Sequence, residues 1–174
     1  MLVNTYIHWR LIQVFKKNRL FISLFLFICF MSSASAQKAP GFSLNGDKGK
    51  ITLSKHKNKV VYLDFWASWC KPCQKSFGFM NDMQERYSKK GLEVIAINLD
   101  EDKAAAKNFL KKHPANFTIA YDPEGKTPSA YELGVMPTSY LIDKRGNIVF
   151  MHKGFKKTHI ASLEKKITQT LKQK

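Results

Sequence analysis

Cysteine is scarce in this chain, with three residues among 174, and one of them, Cys29, sits in an apolar N-terminal run. That scarcity excludes a disulfide-stapled scaffold and leaves Cys70 and Cys73 as the only thiols beyond residue 36. The pair could supply half of a zinc site. Two more ligands would be needed, and no cysteine follows, while His113, His152 and His159 have no ligand-like spacing to it. Long apolar runs are missing too: the longest, Leu20 to Met31, has twelve residues, interrupted by Ser23. That is short for a bilayer span. Acidic residues number 13 against 29 Lys and Arg. Repeats, low-complexity tracts and internal linkers are absent, which argues for one domain.

The first 36 residues read as a secretory leader. Arg10, Lys16, Lys17 and Arg19 precede the apolar run, and Ala34-Ser35-Ala36 is an A-x-A cleavage signal before Gln37. Cleavage after Ala36 leaves residues 37–174, enough for one core. The alternative is a retained anchor through residues 20–31. Residues 37–174 keep 25 basic and 13 acidic residues. Their lysines are spread along the chain, as a solvated surface would have them. A functional reading is steering towards acidic partners or an anionic membrane face. Export and the lack of a recognisable binding module argue against nucleic acid.

The chain is organised around residues 60–75. Val60 to Trp66 is β-branched and aromatic, with Asp64 alone inside it, and predicts a buried central strand. Met80, Met83, Gln84 and Tyr87 then recur at helical spacing, predicting a helix from near Cys70 to about Lys89. Cysteines three positions apart at the start of a helix can bond. The free N–H groups and partial positive charge of the helix tip stabilise a thiolate on Cys70. Pro72 suits the opening turn, where a missing N–H is harmless.

Elsewhere the pattern predicts a short edge strand at Phe42 and Leu44, with Ile51 and Leu53 pairing to it after a turn. A parallel strand is expected over Leu92 to Leu99. A helix follows from Asp100-Glu101-Asp102 to His113-Pro114, with Ala105 and Phe109 facing the sheet. A short strand is expected over Phe117 to Tyr121 and a brief helix over Ser129 to Leu133. Tyr140 to Phe150 reads as a hairpin. A last helix carries Ile160, Leu163, Ile167 and Leu171 on one face. This order predicts an α/β sandwich around a mixed sheet.

Asp-Phe-Trp-Ala followed by Trp69-Cys70-Lys71-Pro72-Cys73, with Met136-Pro137-Thr138 later, resembles the thioredoxin fold. Residues 38–174 look most like its exported TlpA/ResA-like thiol-disulfide oxidoreductases. The resemblance implies a thioredoxin-like α/β fold with a short N-terminal strand addition, and a cis bond before Pro137. It also implies a groove where the Met136 backbone, flanked by Thr138, could pair with an incoming peptide. Two positions depart from the branch. Asp64 stands where asparagine is frequent, and Ser76 where a glutamate is frequent, so cytochrome-maturation specificity is not carried over.

The chemistry implied is thiol-disulfide exchange without a cofactor. Exposed Cys70 attacks a substrate disulfide, Cys73 resolves the mixed disulfide, and buried Asp64 relays the proton. Trp66 and Trp69 are expected to frame the active surface, with Trp66 equally readable as core packing, and Lys71 is expected to raise the local potential or to be simply a solvated lysine. Protein or peptide disulfides are the expected substrates of a monomeric, periplasmic or otherwise extracytoplasmic reductase fed by a membrane electron donor. A disulfide oxidase or isomerase, and a non-catalytic binding or chaperone-like protein, are the alternatives.

Overall fold

A computed structural model describes residues 37–173 of the chain. The expected leader, its cleavage point and the alternative anchor over 20–31 lie outside the described residues. Among the described residues no helix is long and apolar enough to cross a membrane.

The fold is built outward from β3 (Val60–Trp66), whose seven residues are all buried. Burial on both faces explains why the run is continuously apolar rather than alternating. β4 (Leu92–Asn98) lies parallel to it on one side, and β6 (Thr138–Ile142) antiparallel on the other. With β5 (Thr118–Tyr121), β7 (Ile148–Lys153), β1 (Ser43–Gly46) and β2 (Gly49–Thr52), they form one sheet in the order β2-β1-β5-β4-β3-β6-β7. β6 pairs antiparallel with β7, with a register shift at Leu141/Ile142. The mixed, helix-flanked sheet is thioredoxin-like, and the added hairpin of β1 and β2 is its N-terminal extension.

Three helices pack on one face: α1 (Lys71–Tyr87), α2 (Lys103–Lys112) and, after a five-residue α3 (Lys126–Ala130), α4 (Ile160–Lys172). β3→α1→β4→α2→β5 runs in one direction along the sheet, so its right-handed crossovers share a face. α1 buries Cys73, Phe77, Met80 and Met83 there. Trp66, Phe77 and Phe109 meet with ring centroids 4.8–5.0 Å apart, a rigid aromatic floor under the start of α1. The other face carries a separate core around Leu63, Phe65, Ile97 and Tyr140.

Some elements differ from expectation. β1 is not an edge strand: β5 flanks it on its inner side, and a side chain at Gly46 would strike the Ile119 carbonyl at 2.7 Å. Leu53 falls in a one-turn 3-10 helix instead of β2. Ala106 faces the core in place of Ala105, because the Asp102 carboxylate caps α2 through the Ala104 N–H and fixes its phase. α3 starts three residues early, where the Asp122 carboxylate accepts the Thr127 N–H at 2.6 Å and holds the first turn.

Candidate active site

β3 ends at Trp66, three residues turn, and Cys70 is the N-cap of α1. The turn is tied to the end of β4. Asp100 accepts the Ser68 N–H at 2.9 Å and the Ser68 hydroxyl at 2.8 Å, and Asn98 donates its side-chain amide to the same carboxylate at 2.7 Å. Asp100 and Asn98 are buried. They act as positioning residues for the segment that presents Cys70. Asp100 reads from sequence as a helix-start charge, and only the adjacency of β3 and β4 reveals this second role.

Cys70 and Cys73 are joined in a disulfide, with Cα atoms 5.3 Å apart. One α-helical turn sets that separation, and the Cys73 N–H donates to the Cys70 carbonyl at 3.0 Å. Cys70 is not exposed as expected: only 5% of it is accessible, and none of Cys73. The reason is a groove of about 610 Å³ that sinks the bond between Trp69, Lys71 and Pro72 on one wall and Leu133 to Met136 on the other. Lys71 and Pro72 are exposed in the first turn of α1, and Lys71 makes no ion pair among the described residues. Trp69 is 68% exposed and forms part of the rim.

Of the two readings of Trp66, the structure shows core packing and not a place on the active surface. Trp66 is fully buried against Phe77 and Phe109, a consequence of its inward register at the end of β3. The Met136–Pro137 bond is cis. Thr138 donates its hydroxyl to the Val135 carbonyl at 2.6 Å, and the Gly154 N–H donates to the Pro137 carbonyl at 2.7 Å. Met136, between them, has no backbone partner within the chain among the described residues, and it lines the groove.

Asp64 is fully buried and lies in register with Ser139 of β6. Along β3 it shares a face with Tyr62 and Trp66, the face on which Cys73 packs. The Ser139 hydroxyl donates to Asp64 Oδ1 at 2.7 Å and accepts from the Tyr62 hydroxyl at 2.8 Å. Among the described residues Asp64 Oδ2 has no hydrogen-bond partner. Burial therefore pushes the Asp64 carboxyl up from 3.8 to about 7, against the opposing pull of the Ser139 hydrogen bond. Burial, and next the Asp64 charge, push the Tyr62 hydroxyl far above its usual range, so it stays a donor. Ser76, buried, donates to the Cys73 carbonyl at 2.8 Å. Its short side chain supplies no acid–base group at this position.

Ser139 was not legible as a site residue, although a hydroxyl inside the otherwise apolar Tyr140-Leu141-Ile142 strand is a signal. Ser139→Ala removes the hydrogen bond that favours the ionised carboxylate. The Asp64 titration midpoint is expected to move further up, read by the carboxyl carbon resonance across pH 5 to 9 (roughly the window around a carboxyl displaced this far). An unmoved midpoint would detach Ser139 from Asp64.

Among the described residues no group of three or more His, Cys, Asp or Glu could hold a metal ion. His113 packs against the Phe109 ring at a tilt, and His152 hydrogen-bonds His159 at 3.0 Å. The site offers a disulfide-forming cysteine pair that opens on a groove through Cys70, and, on the sheet face against which Cys73 packs, a buried carboxyl of raised pKa.

Residues 34–167 match the profile of the Redoxin family. Thiol-disulfide oxidoreductase ResA of Bacillus thuringiensis is 40% identical over 134 residues, covering 76% of this chain and 78% of that protein. ResA of Bacillus subtilis is 35% identical over 151 residues, covering 77% and 84%. Among solved structures, a candidate thiol:disulfide interchange protein DsbE from Chlorobium tepidum superposes with TM-score 0.77 at 48% identity, over 78% of this chain and 96% of that one. The exposed lipoprotein thioredoxin Etrx1 of Streptococcus pneumoniae superposes with TM-score 0.65 at 30% identity, over 75% and 99%.

Proposed function

The chain belongs to the Redoxin family, among its ResA-like thiol-disulfide oxidoreductases, and from that premise we propose that it reduces disulfides of exported proteins through the Cys70/Cys73 dithiol. The observation that carries this is the Cys70–Cys73 disulfide at the head of α1, opening into a groove whose far wall is Met136.

In the reduced protein the Cys70 thiolate, favoured by the N-terminus of α1, attacks one sulfur of a substrate disulfide. A bond forms from Cys70 Sγ to that sulfur, and the substrate's other sulfur leaves as a thiolate. The Asp64 carboxylate then takes the proton of Cys73, whose sulfur attacks Cys70 and expels the second substrate thiolate. Two electrons pass to the substrate and the product is the disulfide seen here. Met136's free backbone groups suit an extended peptide laid across the groove, with its disulfide over Cys70. Each turnover consumes the dithiol, so an electron donor must restore it. An extracytoplasmic place of work and a membrane donor accord with the basic, apolar leader and the kinship with ResA and an exposed lipoprotein thioredoxin.

Titration of the Cys70/Cys73 couple in dithiothreitol or glutathione buffers tests the direction. A potential below about −200 mV is expected of a reductase, whereas a value near about −120 mV would make the protein an oxidant.

A further inference from the structure

The seven residues of β3 separate two unlike ends of the domain. At roughly 3.3 Å per residue, that is about 20 Å from the turn before Val60 to the dithiol turn after Trp66. Parallel β4 and β5 place Asp100, Glu101 and Asp102, then Asp122 and Glu124, beyond their final residues at the dithiol end, where Lys71, Lys103, Lys126, Lys153, Lys156 and Lys157 also stand, so that charge there is close to balanced. The opposite end gathers cations: Lys55, Lys57 and Lys59 ahead of β3, Lys89 and Lys90 ahead of β4, and Lys144 with Arg145 in the turn between β6 and β7.

Helix dipoles account for the lysines in the last turn of α2. The end of α1 likewise accounts for Lys89 and Lys90, and Lys144 Nζ donates to the Leu171 and Gln173 carbonyls at the end of α4, at 3.0 and 2.8 Å, but no α-helix ends at Lys55, Lys57 and Lys59. Two carboxylates at this end are already engaged, Glu93 by Lys59 at 3.0 Å and Asp143 by Arg145 at 3.4 Å. Lys55, Lys57 and Lys89 are exposed and have no carboxylate partner among the described residues. Between the turns lies a cleft of about 220 Å³, with Ala39, Leu53, Val61 and Ile142 in its lining and Lys57 and Lys144 among its cations.

The described chain also begins at this end. The Ile148 N–H donates to the Gln37 carbonyl at 2.8 Å, and the Ala39 N–H to the Gly146 carbonyl at 3.0 Å. Whatever precedes Gln37 is therefore joined to the domain beside the basic cleft, and the sequence upstream holds the apolar run of residues 20–31.

We propose that this basic end is a docking surface for an anionic phospholipid bilayer, which orients the domain with its dithiol facing away from the lipid. Headgroup phosphates suit a cation-rimmed, apolar-floored cleft, and the nearly balanced charge of the far end attracts the bilayer less strongly. The Debye length is about 8 Å at physiological salt, so the dithiol end stands outside the bilayer's field when the basic end touches it. The orientation is independent of the direction of electron flow and of whether residues 1–36 are retained.

Hydrogen exchange of the full chain, reconstituted with vesicles of phosphatidylcholine alone or with about one-third phosphatidylglycerol, reads the contact directly. On anionic vesicles the amides of 53–59 and 143–147 are expected to exchange at least about fivefold more slowly than on zwitterionic ones, with 133–136 unchanged. About 0.5 M salt should erase the difference. Lys55→Glu, Lys57→Glu and Lys89→Glu together should abolish the slowing while the far-ultraviolet circular dichroism is kept. Equal exchange on both lipids would overturn the proposal and leave an acidic protein as the partner of this end. Slowing at 133–136, or slowing that survives the charge reversal, would overturn it as well.

Discussion

Cys70→Ser is expected to lower the rate of reduction of a soluble disulfide by at least about a thousandfold. Cys70 is the sulfur that reaches the groove, whereas Cys73 is wholly enclosed beneath it. A serine hydroxyl cannot ionise near neutral pH and is a poor nucleophile towards sulfur. Cys73→Ser should behave differently. It retains the first attack, so one equivalent of substrate thiolate is released in a burst, and turnover then stops at the mixed disulfide. Stopped-flow thiol detection separates the two variants. Undiminished function in Cys70→Ser would favour the binding or chaperone-like reading.

The second large effect belongs to Asp64. Its carboxyl titrates at about 7 in the folded protein and near 3.8 once unfolded. From about pH 4 to about pH 7 the folded state therefore holds a proton that the unfolded chain has released. Stability contributed by the protonated form is complete below about pH 4 and is lost as the pH rises through about 7. At about 1.36 kcal/mol per unit, the loss is on the order of 4 kcal/mol. Asp64→Asn cannot titrate, so its stability relative to the parent should rise by about that amount between pH 4 and pH 8. Urea melts at the two pH values measure the difference. Other titrating groups are common to both proteins and cancel. A pH-independent difference would mean that Asp64 is ionised throughout and solvated. Resolution by Cys73 should also slow by on the order of a hundredfold in Asp64→Asn above pH 7, with the inflection of its pH profile gone.

The placement of the dithiol was legible because two periodicities meet there, a continuous apolar run in β3 and a helical one in α1. Asp64 stood out as the single charge inside that run. What stayed hidden depends on neighbours that are distant in the chain. Ser68 meets Asp100 only because β3 and β4 lie side by side, and Ser139 meets Asp64 only through the register of β6 on β3. The cover over Cys70 comes from Leu133 to Met136, a segment that reads as turn and loop. Trp66 and Trp69 are alike in composition and three positions apart. Only the change from strand to helix cap between them sends one into the core and the other to the rim.

The most direct measurement is peptide mapping of the adduct that reduced Cys73→Ala protein forms with a disulfide substrate. The expected product is a single mixed disulfide on Cys70, stable until dithiothreitol is added, because no second sulfur is present to resolve it. Failure to form any adduct, or turnover continuing without Cys73, would contradict the assignment of attack to one sulfur and release to the other.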